Sequence, residues 1–185
     1  MTVKTIVLGG AFATNCHLIQ SEKAAVVVDP AEYSDEVFEF LDTNSDKERL
    51  ILLTHCHLDH ICGADMLREK TGVKIAIGEK DAAGTNNTRL SLSDLFGGNH
   101  QPFGVDVKLF NGDWFMVGDL EFRAVETPGH TVGGMSYVVG DCVFSGDTLF
   151  AGTVGRTDFY GGDYNTLMQS IKKLTEMLDD NVKVY

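Results

Sequence analysis

The chain of 185 residues is 43% hydrophobic and 23% charged, which is typical of one globular domain. Its 27 acidic and 15 basic side chains give a formal net charge of −12, and the absence of any basic run disfavours nucleic acid as a partner. No segment has the apolar length of a membrane span and the first residues do not resemble a signal peptide, so we expect no membrane association.

Short strands and helices alternate in the first half of the chain. Turn residues separate three predicted strands, and Ser34 is the predicted N-cap of a helix that follows them. A continuous apolar run over residues 50–54 predicts a strand buried on both faces. The predicted elements are strands at 5–9, 16–20 and 24–29, a helix at 34–41, the strand at 50–54, a helix at 63–70 and a strand at 73–77.

The second half begins with the longest connection, residues 84–104, for which only a short helical turn at 91–96 is predicted. This connection either carries substrate contacts or is a surface insertion. Five short strands and a helix with an apolar stripe follow, at 107–109, 114–116, 120–126, 135–139, 142–145 and 163–178, and one more strand begins at 181. Without a linker or repeat, the pattern predicts a single domain, 1–185, of layered α/β architecture.

The cysteine pattern bears on the cellular compartment. Cys16, Cys56, Cys62 and Cys142 are scattered and form no Cys-x-x-Cys pair. Small secreted domains with disulfides have a denser pattern, so we expect a reducing environment and a cytoplasmic location. The sequence suggests no particular oligomeric state.

The segment that follows the strand at 50–54 is rich in potential metal ligands. His55, His57, Asp59 and His60 provide four potential metal ligands within six residues. In an extended backbone, residues two apart point to the same side, so the first three of these should converge, with His60 starting a turn. Such residues are costly to bury unless they are paired or bind metal, which favours a metal site over packing.

Two further ligand-type residues follow predicted strands. His130 lies in a Pro-Gly turn, and Asp147 follows the strand at 142–145. Binding sites often lie on such loops, although an aspartate beside a glycine is by itself more typical of a turn.

Together these segments resemble the signature motifs of the metallo-β-lactamase superfamily and are most similar to those of small glyoxalase II-like hydrolases. The matching motifs are Thr-His-Cys-His-Leu-Asp-His at 54–60, Thr-Pro-Gly-His-Thr at 127–131 and Ser-Gly-Asp-Thr-Leu-Phe at 145–150, supported by Val-Asp-Pro at 28–30, Asn-Cys-His-Leu-Ile at 15–19 and Gly-Arg-Thr-Asp-Phe at 155–159. The resemblance implies a four-layer αβ/βα sandwich, here without its last helix.

The resemblance also implies a site with two divalent metal ions, zinc by default, although iron and manganese suit the same ligands. The implied ligands are His55, His57 and His130 for the first ion and Asp59 and His60 for the second, with Asp147 bridging both. Asp29 would support the site from behind the ligands, Asp59 would also act in catalysis, and Arg156 would contact the substrate.

Two features of the sequence qualify the resemblance. The commonest zinc β-lactamases have cysteine at the position of Asp147 and lack the histidine at position 60, so antibiotic hydrolysis is not expected as the main activity. Family members also supply one more histidine in a Pro-Gly-His-Gly turn, which would begin where this chain ends at Tyr185. His17 and His100 do not match that turn. We therefore expect either a truncated chain or a member with an incomplete second metal site.

The expected reaction is hydrolysis of a small thioester such as S-lactoylglutathione, or of a related ester. Two cations can lower the pKa of a bridging water, and the resulting metal-bound hydroxide would attack the carbonyl carbon. The alternative is a persulfide dioxygenase of the same superfamily, with one iron held by His55, His130 and Asp147. A third class, a non-catalytic metal-binding domain, gains no support from so full a set of ligands.

Overall fold

In a computed structural model that describes residues 1–10, 12–96 and 101–185, the chain forms two sheets that pack face to face. In the first sheet, the strands neighbour one another in chain order. The first three strands are antiparallel, and the third to the sixth are parallel. These strands are β1 (Thr2–Leu8), β2 (Thr14–Gln20), β3 (Ala24–Val28), β4 (Glu48–Leu53), β5 (Lys74–Gly78) and β6 (Val107–Leu109).

The second sheet is antiparallel except at one edge. Its members are β7 (Trp114–Val117), β8 (Leu120–Glu126), β9 (Met135–Val139) and β10 (Cys142–Phe144). A separate hairpin follows, formed by β11 (Leu149–Phe150) and β12 (Thr153–Val154). The last strand, β13 (Lys183–Val184), then pairs in parallel with β10 and completes the second sheet.

The described helices lie on the outer faces of the sheets or beside the loops at the strand ends. They are α1 (Asp35–Thr43), α2 (Leu58–Ile61), α3 (Ala64–Thr71), α4 (Ser93–Phe96) and α5 (Tyr164–Met177), with 3-10 turns at Ala82–Asn86 and Gly146–Thr148. Among the described residues, none of these helices has the length and apolar character needed to cross a membrane. All four cysteines have free thiols.

Side chains that alternate along each strand pack into separate layers on the two faces of the sheet. In β4, Ile51 packs with Leu41 of α1 and Leu67 of α3, whereas Leu52 faces the second sheet and packs with Phe122. This follows from the period of two in a strand, which sends neighbouring side chains to opposite faces. On the far side, Leu174 of α5 packs on the outer face of the second sheet. The predicted α/β class and αβ/βα layering are therefore confirmed.

The structure corrects the local prediction for the histidine-rich segment. The extended backbone was expected to run through Asp59, but α2 begins at Leu58 and includes both Asp59 and His60. The alternation argument therefore holds for His55 and His57 only. The hairpin of β11 and β12 was not predicted, because two-residue strands have no detectable sequence period. His100, and with it part of the long connection, lies outside the described residues.

One buried hydroxyl ties the two sheets together beside the histidine-rich segment. Tyr137 of β9 is fully buried, and its hydroxyl donates a hydrogen bond of 2.7 Å to the carbonyl of Leu53, the last residue of β4. Burial raises the pKa of this hydroxyl well above its usual value, so it remains a neutral donor.

We predict that Tyr137→Phe lowers the free energy of unfolding by about 1–2 kcal/mol, because it removes this buried hydrogen bond without changing the packing of the ring. Urea denaturation followed by circular dichroism measures the loss. Tyr164→Phe is the matched control, since the Tyr164 side chain is exposed, and it should change stability by less than about 0.5 kcal/mol. Equal effects of the two substitutions would contradict the prediction.

Candidate metal centre

Three buried imidazoles from two distant segments meet at the ends of the sheets. His55 and His57 follow the carboxyl end of β4, and His130 follows β8. One nitrogen from each ring lies within 4.8 Å of the others, and Nδ1 of His57 is 2.9 Å from Nε2 of His130. This is the expected first ligand set, brought together although 73 residues separate His57 from His130.

Hydrogen bonds on the far side of two rings determine which nitrogens face inward. Nδ1 of His130 donates to the carbonyl of Arg156 at 2.7 Å, which leaves Nε2 as an acceptor. The Thr54 hydroxyl donates to Asp29 at 2.6 Å and so can accept from Nδ1 of His55 at 3.0 Å. Nε2 of His55 is then unprotonated, and it is a buried atom with no hydrogen-bond partner among the described residues. Converging imidazole lone pairs of this kind fit a divalent cation.

A second group of ligand-type atoms adjoins the first. Nε2 of His60 lies 3.3 Å from Oδ1 of Asp147 and 3.8 Å from Oδ2 of Asp59. The other oxygen of Asp147, Oδ2, lies 3.4 Å from Nε2 of His130. The Asp147 carboxylate therefore stands between the two groups with one oxygen toward each, which is the placement required of a bridging ligand.

Asp29 lies near enough to His55 and His60 to be a ligand, but its oxygens have other partners. Oδ1 accepts from the backbone N–H of Thr54 at 2.7 Å, and Oδ2 accepts from the Thr54 hydroxyl and from Nδ1 of His60 at 2.8 Å. Both oxygens of Asp29 are therefore engaged by neighbouring residues, and its supporting role at a metal site stays a prediction. Asp29 adopts a left-handed backbone with φ of 52°, unusual for a residue other than glycine, and these hydrogen bonds hold it there.

The electrostatics favour neutral imidazoles at the first group and a cation at the second. Burial, followed by the neighbouring His130, lowers the pKa of His57 to about 3, and burial also lowers the pKa of His55 well below its usual value. Burial opposes charge on His60 as well, but the Asp29 and Asp147 carboxylates outweigh it and raise the pKa of His60 well above its usual value. Carboxylates that stabilise a proton there would equally stabilise a metal ion.

Asp81 is a structural residue of the site that sequence reasoning missed. Its buried carboxylate accepts hydrogen bonds from the backbone N–H of Cys56 at 3.2 Å, from the Thr131 hydroxyl at 2.7 Å and from the N–H of Gly133 at 2.7 Å. It therefore fastens the segment of His55 and His57 to the loop of His130. The available signal was a polar residue shortly after the parallel strand β5, similar to the other site residues.

Gly146 shows why the residue before Asp147 must be small. Its φ is 49°, and a Cβ at this position would collide with the side chain of Thr54. Glycine permits both the left-handed backbone and the close approach, which place Asp147 against the histidines.

In the structure, Arg156, the expected substrate residue, contacts His130 through its backbone carbonyl. Its carbonyl orients His130, while its exposed guanidinium pairs with Asp158 at 2.7 Å and lies 3.9 Å from the ring centroid of Phe159. His17, which matched no metal-binding motif, lines a cavity of about 210 Å³ beside Asp59, His60 and Asp147.

The chain belongs to the metallo-beta-lactamase superfamily, whose family model matches residues 9–185. It is thus a member of a superfamily of metal-dependent hydrolases, which bind divalent cations, usually zinc. This agrees with the ligand chemistry described above.

Individual relatives span most of the chain. It is 34% identical to the hydroxyacylglutathione hydrolase GloC of Haemophilus influenzae over 183 residues, which cover 92% of this chain and 83% of that protein. Among solved structures it resembles BLEG-1, a B3 metallo-beta-lactamase, with a TM-score of 0.89 and 31% identity over 99% of this chain and 90% of that one. It also resembles TTHA1623 in a di-iron-bound form, with a TM-score of 0.83 and 28% identity over 98% and 90% of the two chains.

We predict that Asp81→Asn weakens zinc binding by about 10- to 100-fold, because the amide cannot accept all three hydrogen bonds that align the histidine loops. It should also lower the free energy of unfolding by about 1–3 kcal/mol. Competition with a chromophoric chelator measures the affinity. Asp119→Asn is the matched control, since Asp119 also accepts several hydrogen bonds but lies on the surface. The same zinc affinity in both variants would refute a positioning role for Asp81.

Proposed function

We propose that the chain binds two divalent cations, zinc by default, and hydrolyses small thioesters, with S-lactoylglutathione as the first substrate to test. The observation that carries this proposal is the position of the Asp147 carboxylate between two groups of ligand atoms. The first group would hold one ion through His55, His57 and His130, and Asp59 and His60 would hold the second.

Cations bound there would lower the pKa of water toward neutrality and polarise a carbonyl oxygen. The protein supplies the alignment. Asp59 is a quarter exposed at the cavity, and its Oδ2 accepts a hydrogen bond of 3.4 Å from the Thr14 hydroxyl. From this position Asp59 can orient the attacking water and accept a proton from it.

The reaction consumes only water and the thioester. The water oxygen forms a bond to the acyl carbon, and the carbon–sulfur bond then breaks. The departing sulfur takes up the proton, so the products are a carboxylic acid and a thiol. The side chains at the cavity include the carboxylates and imidazole needed to move this proton.

The comparisons support this choice of substrate class. The relative from Haemophilus influenzae is named as a hydrolase of hydroxyacylglutathione, a thioester. We further propose that the whole chain forms one domain and that the guanidinium of Arg156 contacts the substrate, since it is exposed beside the ring of Phe159, which adjoins His57.

The second candidate is the iron-dependent persulfide dioxygenase. The similarity to a structure in a di-iron-bound form favours iron as a metal for this fold. A single iron held by His55, His130 and Asp147 would, however, leave His57 and His60 beside it without a ligand role, and both rings face the same centre. Two bound metal ions would instead give His57 and His60 a ligand role as well.

We expect the protein purified without added metal to contain about two equivalents of metal per chain, mostly zinc, by elemental mass spectrometry. Chelation should abolish thioester hydrolysis and added zinc should restore it, because the proposed reaction depends on cations bound by the three histidines and the adjoining residues. About one equivalent of iron, with oxygen consumption and sulfite production from a persulfide, would establish the second candidate instead. Failure to bind any metal would refute both.

Asp59→Asn tests the roles proposed for Asp59, as proton acceptor and as ligand of the second ion, separately from metal binding at the first site. We predict that it lowers kcat by at least about 100-fold while the first site, which Asp59 does not join, keeps its metal. His57→Ala should instead lose the first metal. Asp46→Asn is the control, because Asp46 is an exposed carboxylate remote from the site. An unchanged kcat in Asp59→Asn would exclude the proposed role.

A further inference from the structure

Three phenylalanines form a continuous row that leads from the metal centre to solvent, and we call Phe12, Phe96 and Phe159 the aromatic rim. The ring of Phe159 meets His57 edge-on, with 6.2 Å between centroids. Phe96 lies 5.7 Å from Phe159, and Phe12 lies 5.3 Å from Phe96. Each of these contacts has an edge-to-face geometry, the arrangement that aromatic pairs favour.

The rim is assembled from three separate parts of the chain. Phe12 lies in the loop after β1, Phe96 ends α4, and Phe159 follows β12. Phe12 and Phe96 nevertheless remain 48% and 40% exposed. Contiguous apolar side chains that stay exposed beside a reactive site are typical of ligand-binding surfaces.

Phe12 connects the rim to the cavity of the proposed reaction. Phe12 and Asp59 both line the cavity that contains His60 and Asp147, and both also line a neighbouring recess. The recess is lined mainly by small or apolar residues, and Glu32 also lines it; the small or apolar residues are Gly9, Gly10, Ala31, Leu58 and Cys62. A group attached to a carbonyl carbon beside Asp59 could thus extend along the rim.

The charge around Phe12 selects against anionic ligands. The described residues that line the two cavities include Asp29, Glu32, Asp59 and Asp147 but neither lysine nor arginine. The nearest cation along the rim, Arg156, is already paired with Asp158. Because bound cations would offset the charges of Asp59 and Asp147, the remaining charge in the recess is Glu32, and a carboxylate at the far end of the ligand would meet it without a free counter-ion.

We propose that the aromatic rim binds an apolar, uncharged acyl group, so that the chain prefers thioesters of medium-length alkyl or aryl acids over those of short hydroxy acids. This inference rests on the proposed thioester hydrolysis and specifies the acyl half of the substrate. The thiol half lies on the other side of the scissile bond.

Binding of uncharged thioethers tests the rim without requiring turnover. The probes are S-methyl, S-butyl, S-hexyl and S-octyl N-acetylcysteamine, measured by calorimetry on the zinc-loaded full chain. The dissociation constant should fall by about threefold to fourfold per added methylene, the value for a buried CH₂. In Phe12→Ala and Phe96→Ala the fall should be less than about twofold per methylene, and a terminal carboxylate on the hexyl probe should weaken binding by at least about tenfold.

Phe110→Ala is the matched control, because Phe110 is 55% exposed and belongs to neither cavity. Phe159 is not substituted, because its ring contacts His57, a proposed metal ligand. An affinity independent of chain length, or equal chain-length dependence in wild type, Phe12→Ala and Phe110→Ala, would overturn the inference.

A kinetic series separates this inference from the proposed function. The values of kcat/KM for acetyl, hexanoyl and octanoyl thioesters of N-acetylcysteamine should rise with chain length in the wild type and less steeply in Phe12→Ala. If the thioethers bind with the expected dependence but no thioester is hydrolysed, the rim stands as an apolar site and the proposed function fails. If thioesters are hydrolysed at rates independent of the acyl chain, the proposed function stands and the inference fails.

Discussion

The hydrogen bonds of Asp29 are the constraint on which the candidate metal centre depends. One carboxylate orients His60 directly and, through the Thr54 hydroxyl, fixes the proton on His55. Nε2 of His55 is then unprotonated, and Nε2 of His60 lies 3.3 Å from Oδ1 of Asp147. Asp29 directly follows β3 and has a left-handed backbone. The first sheet, rather than flexible side chains, therefore determines the geometry of the site.

The face-to-face sheets explain why the remaining candidate ligands lie at the same place. β4, β8 and β10 end at one edge of the sandwich, and the loops after them carry His55, His130 and Asp147. Tyr137 and Asp81 join these ends across the layers, the first through Leu53 and the second through the backbone of Cys56. The rigid scaffold thus supplies the preorganisation that a metal-dependent hydrolase needs, while the exposed loops are left to determine the substrate.

Charged and apolar side chains occupy different parts of the surroundings of the candidate metal centre. The carboxylates of Asp29 and Asp147 favour a cation at His60, whereas the aromatic rim offers an uncharged surface nearby. These two properties are compatible with one thioester, whose carbonyl is polarised at one end while its acyl group packs at the other.

The sequence by itself determined the layered α/β fold, most strands and the identity of the ligand-type residues. Hydrophobic period and donor chemistry are local properties, so the buried run of β4 and the cluster at 55–60 could be recognised without coordinates. Only the tertiary structure decided that Asp59 lies in a helix, that Asp81 joins the two histidine loops and that Phe12, Phe96 and Phe159 touch. The reason is physical: those relations depend on side-chain contacts between residues far apart in the chain, such as the 73 residues between His57 and His130, and no periodic pattern encodes which distant loops will meet.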